Sequence, residues 1–365
     1  MKALAIYAGP KAKQHLAMHG LSASDVGVIP AAAGGPKGLI LGPLDRFMFN
    51  EWLPTSQQTI DLVGASIGAW RMATACLPDS KAGLLRLEHD YIHQHYELKP
   101  GEKFPGAQQV SDAFRENLDS FYGGLVETLL SHPRYRLHVL TSRGKGLLNR
   151  EHKLLSPLGY GVAFIRNLLS RKAMGASLER VVFSSRGELP FGTQDYATRH
   201  LALTKNNFMD VLQASCAIPF VLKAILNIDG APSGAYWDGG ITDYHLHLNW
   251  LEHAKENLKE NSKGGLVVYP HFQKAVIPGW LDKSLKWRHQ ATAYLDNTIV
   301  LAPSPEWVKS LPNGKLPDRQ DFVTYGQDLN ARVKVWQSAT GASQQLADEF
   351  AQWLEKPDMS FVQDI

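Results

Sequence analysis

Thr59-Ile60-Asp61-Leu62-Val63-Gly64-Ala65-Ser66-Ile67-Gly68-Ala69-Trp70 is the stretch on which the reading of this chain turns. Thr59 to Val63 is a short, largely apolar run and reads as a buried strand. Gly64 to Gly68 is a sharp turn, and Trp70 to Leu77 begins a helix that Pro78 stops. Working upstream, Val26 to Ala33 (VGVIPAAA) reads as another buried strand, and Gly34 to Gly38 breaks it. Leu39 to Leu53 then reads as one helix, with Pro43 near its start. Strand, glycine loop, helix, strand, tight turn, helix is the alternation of an α/β sheet with parallel strands.

The rest of the chain extends this pattern. The first 25 residues carry no clear signal. Residues 80–130 look helical, and Arg136–Thr141 and Arg180–Ser184 read as buried strands. Gly161–Lys172 looks like a short, basic amphipathic helix, and Phe208–Ala214 is helical. Ala235–Trp237, Leu266–Tyr269 and Thr298–Leu301 are short strands, and a helix near the end carries Leu346, Phe350 and Trp353. No linker of Pro, Gly or Ser divides these pieces, so residues 1–365 are expected to form a single domain.

Composition narrows the class. At 365 residues and 44% hydrophobic content the chain can bury a large core. Its net charge of +3 argues against nucleic-acid binding, which needs clustered Lys and Arg. Two cysteines, Cys76 and Cys216, are too few for a disulfide scaffold and suit a reducing compartment. No signal peptide or membrane span is read, so the expected location is cytoplasmic, with peripheral membrane contact left open.

Gly64-Ala65-Ser66-Ile67-Gly68 has the form G-x-S-x-G. A nucleophile on a tight strand-to-helix turn needs glycines two before and two after, so that neighbouring side chains do not clash. The helix that follows aims its N-terminus at the serine and favours negative charge there. With 31 glycines and 23 serines, chance alone supplies such a pentapeptide in roughly one chain in six of this composition. A glycine-rich turn with a capping serine is the bland alternative. The strand before and the helix after favour the elbow. Gly341-Ala342-Ser343 is a near miss, with Gln345 where the second glycine belongs.

Two further pieces carry chemistry. Gly34-Gly35-Pro36-Lys37-Gly38 opens a helix, where unpaired backbone N–H groups form an anion site. It fails both the P-loop and the dinucleotide patterns, which leaves an oxyanion hole, or simply a glycine helix start. Tyr236-Trp237-Asp238-Gly239-Gly240 places a carboxylate at the end of a short strand, where α/β sites form, although Asp-Gly is also a common turn pair.

In this order the three pieces resemble the patatin-like phospholipase family. Its pattern is a G-G-G-x-[KR]-G loop, then G-x-S-x-G, then D-G-[GA]. The 31 residues from Gly35 to Ser66 look like the family's spacing, and Ala214-Ser215-Cys216-Ala217-Ile218-Pro219-Phe220 is similar to its A-S-x-A-x-P-x segment. The motif-bearing part spans about 26–245, and residues 246–365 are expected to complete the sheet and add helices. The resemblance implies a three-layer α/β/α fold around a central, mostly parallel sheet. It implies a serine acyl-hydrolase acting on carboxylic esters of lipids, with Ser66 as nucleophile and Asp238 as base, without cofactor or metal. Gly34, Gly35 and Lys37 would form the oxyanion hole, and Gly38, Gly64, Gly68, Gly239 and Gly240 are the motif glycines. The sequence departs from the family at Ala33, in place of the first glycine, and at Ile241–Leu246, in place of an Asn-x-Pro segment.

Other readings stay open at this level. An α/β-hydrolase triad would add His245 or His271 after Asp238. His89 with His93, or His245 with His247, have metal-ligand spacing but lack an evident third ligand. The segment Phe220–Leu226 and the basic residues 161–172 suit either an acyl-pocket rim and membrane face or ordinary packing. A non-hydrolytic lipid-binding protein of the same fold is the alternative from another class.

Overall fold

The computed structural model describes residues 1–98, 104–250 and 264–365. Eleven strands among them join one sheet: β1 (Leu4–Ala8), β2 (Val26–Ala31), β3 (Ile60–Ala65), β4 (Tyr135–Gly144), β5 (Leu178–Ser184), β6 (Thr198–Ala202), β7 (Ile225–Leu226), β8 (Ala235–Asp238), β9 (Leu266–Pro270), β10 (Thr298–Pro303) and β11 (Val362–Asp364). The order is β11-β1-β10-β9-β2-β3-β4-β5-β6, with β8 beside β4 and β7 beside β8. The central run from β10 to β4 is parallel throughout.

The central strands are apolar in both directions because both faces are covered. Along β10, Ile299 and Leu301 enter one hydrophobic cluster while Val300 and Ala302 enter another. Along β3, Ile60 and Leu62 divide from Val63 and Ala65 in the same way. The period-2 side-chain alternation thus feeds two cores, one on each face, and helices close both. This is the expected α/β sheet, mostly parallel and sandwiched between helical layers.

Several elements differ from expectation. The stretch read as one helix over Leu39–Leu53 is a 3-10 helix (Gly35–Leu41), an α-helix (Gly42–Phe47) and a π-turn (Met48–Trp52). Glycine and proline at positions 42 and 43 break its continuity. The nucleophile-side helix starts earlier than read, at Ile67, directly after Ser66. The first 25 residues form β1 and the helix Pro10–His19, whose start is set by Pro10 at its first position. β6 escaped notice because it is a polar, largely exposed edge strand. Within the region read as helical, 99–103 lie outside the described residues, and helices cover Ser80–His93, Ala107–Tyr122 and Val126–Leu130.

The position of the site follows from β4, a ten-residue strand. Its first half, Tyr135–Leu140, pairs in parallel with β3. Its next residues, Thr141–Arg143, pair on antiparallel β8, with Thr141 opposite Asp238. β3 and β8 therefore share one lane beside β4 and meet end to end. Ala65, the last residue of β3, and Asp238, the last of β8, fall opposite the adjacent residues Leu140 and Thr141.

A buried ion pair ties the helix after Ser66 to the helix after the glycine loop. Arg71 donates from Nε and Nη2 to the two carboxylate oxygens of Asp45, at 2.6 and 2.7 Å. Both side chains are sealed from water, so removing one partner strands the other charge. Asp45→Ala is expected to lower the unfolding free energy by about 3–5 kcal/mol, read as a drop in the urea midpoint.

Candidate active site

Ser66 sits at φ 56° and ψ −130°, in a region that non-glycine residues avoid. The turn is tight because β3 ends at Ala65 and the helix Ile67–Ala75 starts one residue after Ser66. No room remains for side chains around it. A Cβ on Gly64 would lie 2.6 Å from the Ala69 nitrogen, and one on Gly68 would lie 1.9 Å from the Ala31 carbonyl oxygen. The second glycine of the motif thus lets the helix approach the end of β2.

The serine is braced from behind. Its backbone N–H donates to Ser215 Oγ at 2.9 Å, and that hydroxyl donates to the Leu140 carbonyl at 2.7 Å. The N–H of Asp238 donates to the Ala217 carbonyl at 3.0 Å. The segment Ala214–Phe220 therefore holds both Ser66 and Asp238, a role its sequence did not disclose.

Ser66 Oγ donates to Asp238 Oδ2 at 2.7 Å, with both residues buried. Asp238 Oδ1 accepts the Gly240 N–H at 2.7 Å. Burial pushes the Asp238 carboxyl above the ordinary aspartate range, while the Ser66 hydroxyl, the Arg319 charge and the Gly240 N–H pull it back. Gly239 and Gly240 are required by contact. A Cβ on Gly239 would lie 2.2 Å from the Leu140 carbonyl oxygen, and one on Gly240 would lie 2.6 Å from Ala33 Cβ.

The glycine loop packs onto the same place. A Cβ on Gly38 would lie 3.2 Å from Ile67. Gly35 opens the 3-10 helix at φ 57°. In a 3-10 helix the first intrahelical bond runs to the cap carbonyl from three residues on. The Lys37 N–H is therefore drawn to Gly34, Pro36 has none, and the N–H groups of Gly34 and Gly35 take no part in the helix's own bonds. Ala33, the departure from the family pattern, is accommodated: it is not among the residues with positive φ, and its N–H donates to the Tyr244 carbonyl at 3.0 Å. The other departure, Ile241–Leu246, supplies that carbonyl. It also supplies Asp243, whose carboxylate takes the buried Arg180 Nε at 2.7 Å.

Three cations border the loop. Lys37 Nζ lies 5.5 Å over the Phe272 ring, and Lys283 Nζ lies 5.0 Å over the Tyr244 ring. Arg319 Nε lies 3.2 Å from where a Gly35 Cβ would stand. Partial burial lowers the Lys37 and Lys283 pKa values, and mutual repulsion with Arg319 adds to it. Lys283 and Arg319 lie outside every motif, so local pattern could not find them.

Among the described residues no histidine hydrogen-bonds to Ser66 or Asp238. His245 Nδ1 faces the Ala275 carbonyl and the Ile277 N–H, both at 3.1 Å, and His271 Nδ1 faces the Gln273 carbonyl at 2.6 Å. Burial lowers both pKa values, that of His271 to about 3. His247 turns away to Thr292 at 2.9 Å. His89 and His93 stack on each other, with ring centroids 4.2 Å apart. Among the described residues no group of three or more His, Cys, Asp or Glu is arranged to hold a metal ion. Cys76 is buried, and burial pushes its thiol to about 12; Cys216 neighbours Ser66, and burial raises its thiol well above the usual range.

No family model matches the chain, and no curated protein does. Among solved structures it is similar to VipD from Legionella pneumophila, at 13% identity over 97% of this chain and 70% of that one, with a TM-score of 0.32. So slight a likeness bears on neither the site nor its chemistry.

The glycines of the G-x-S-x-G turn and of its near miss at 341–345 are expected to respond oppositely to alanine. Gly68→Ala has backbone in its way and should cost at least about 3 kcal/mol or prevent folding. Gly341→Ala, in an exposed helix with nothing within 4 Å, should add about 0.5–1 kcal/mol. Thermal unfolding of the two variants checks both.

Proposed function

We propose that this chain is a serine acyl-hydrolase that cleaves carboxylic esters of lipids through a Ser66–Asp238 dyad. The carrying observation is the 2.7 Å hydrogen bond from Ser66 Oγ to Asp238 on a strained strand–turn–helix elbow. The resemblance of the three motifs to patatin-like phospholipases supplies the lipid-ester substrate class. The single sheet running from Leu4 to Asp364 supports reading residues 1–365 as one catalytic domain.

In this reading Asp238 takes the proton of Ser66 as Oγ attacks the ester carbonyl. The oxyanion of the tetrahedral intermediate is met by the N–H groups of Gly34 and Gly35, beside the Lys37 charge. Each such donor is typically worth about 3–4 kcal/mol. The intermediate collapses to acyl-Ser66, and the alcohol leaves with the proton from Asp238. Water then gives a proton to Asp238 and attacks the acyl group, which releases the acid and restores Ser66. An ordinary aspartate is a weak base for an alcohol. The burial that raises the Asp238 pKa makes it a stronger one.

A fluorophosphonate probe is expected to label Ser66 and to leave Ser66→Ala unlabelled. Asn substitution at His245 or His271 should keep ester turnover in the folded protein. Loss of turnover there would favour a triad, and absence of labelling at Ser66 would favour a lipid-binding protein without hydrolase activity. The pH profile gives a second check. The base must be ionised, so kcat/KM should rise with pH through the Asp238 pKa. Because burial raises that pKa, the acid limb should lie above the ordinary aspartate value of about 4.

A further inference from the structure

We infer that the face formed by the helix Leu155–Leu169 and by Phe220 docks onto an anionic lipid bilayer, with the helix lying in the headgroup layer. Soluble surfaces rarely gather large apolar side chains on one helix face. Here Leu154 is 78% exposed, Leu158 57%, Ile165 61% and Leu169 78%, at spacings that align them along the helix. The opposite side of that helix is well buried through Ser156, Tyr160, Ala163 and Asn167, so the exposed row is a second apolar face left without a partner.

Phe220 is the independent observation. It is a bulky residue held at φ 69°, and its ring is 61% exposed. Strain of this kind persists where the surrounding structure imposes it, and such positions cluster at ligand sites. The ring lies on the inner edge of the patch. Its centroid is 6.0 Å from that of Tyr160, and Tyr160 is 6.3 Å from Trp237, the residue before Asp238. Burial and then the nearby Asp238 charge raise the Tyr160 pKa well above the usual range, so the side chain that Phe220 packs on lies close to the carboxylate of the site.

Charge selects the occupant. Between Arg150 and Lys172 the sequence has five cations and one acid, Glu151. Arg171 is held inward by Asp282 at 2.8 Å, which leaves Arg150, Lys153, Arg166 and Lys172 for the surface. Glu151 is already paired with Lys223 at 2.9 Å. A second copy docking through the same patch would set these charges against themselves. An anionic bilayer offers apolar depth and opposite charge together. The helix has 15 residues, about 22 Å at 1.5 Å each, which suits lying in the interface and falls short of a hydrocarbon core of about 30 Å. Among the described residues no helix is long and apolar enough to cross a membrane.

The docking inference is independent of the hydrolase reading, because its readout is binding and the protein used is the full chain carrying Ser66→Ala. Co-sedimentation compares phosphatidylcholine vesicles with phosphatidylcholine–phosphatidylglycerol vesicles. Affinity for the anionic vesicles should be at least about tenfold higher and should fall as salt rises. Adding Leu158→Glu and Ile165→Glu should cut it at least about tenfold with unchanged thermal unfolding, since both side chains are exposed. Equal binding with and without those two substitutions, or no preference for anionic vesicles, would overturn the inference. A concentration-dependent dimer that the two substitutions dissolve would assign the face to a second copy and overturn it as well.

Discussion

β4 carries two strands on one side, end to end, and the rest of the site depends on that constraint. A strand of ten residues outlasts its six-residue parallel partner β3, and its remaining backbone groups need another partner. β8 fills the gap from the opposite direction. The two chain ends that meet there carry Ser66 and Asp238, residues 172 positions apart in sequence. Their hydrogen bond is a consequence of sheet register. Shifting β8 by one residue along β4 would turn the Asp238 side chain to the other face of the sheet.

Meeting end to end leaves little volume, and the glycines answer that shortage. Gly68 admits the end of β2, Gly239 admits the Leu140 carbonyl, and Gly240 admits Ala33. The contacts of Gly38 with Ile67, Gly239 with Ala65 and Gly240 with Ala33 each join two of the three motifs, so the motifs are a packing unit. The strain at Ser66 is held by this packing, by the bond to Ser215, and by the Arg71–Asp45 pair, which fixes the following helix to the glycine loop. A carboxylate buried in the same unit has its pKa raised, and two donors, Ser66 and Gly240, keep it from standing unpaired.

Around this unit the surface is divided in kind. The glycine-loop side carries the cations Lys37, Lys283 and Arg319. On another side the buried rings of Trp237 and Tyr160 pack in a row with Phe220, which is exposed beside the helix Leu155–Leu169.

The α/β class, the central strands and the elbow could be read from sequence because each rests on a local rule. Buried parallel strands are continuous apolar runs, and a nucleophile turn needs glycines at fixed offsets. Ser66 stood out by that turn rule, while Asp238, Gly34 and Gly35 became candidates through the order of the motifs and their resemblance to a family. What local pattern could not supply was anything set by register or by distant packing. β6 and β11 are short edge strands defined by their neighbours, and the helix read over 39–53 is broken by the way Gly42 and Pro43 pack. Ser215 acts only because β4 brings Leu140 beneath it, and Lys283 and Arg319 join the site from segments with no motif. The sequence specified which residues were chemically able to act. Their distances, and the burial that raises the Asp238 pKa, come from the folded arrangement, because backbone pairing across the sheet and exclusion of water belong to no single stretch of chain.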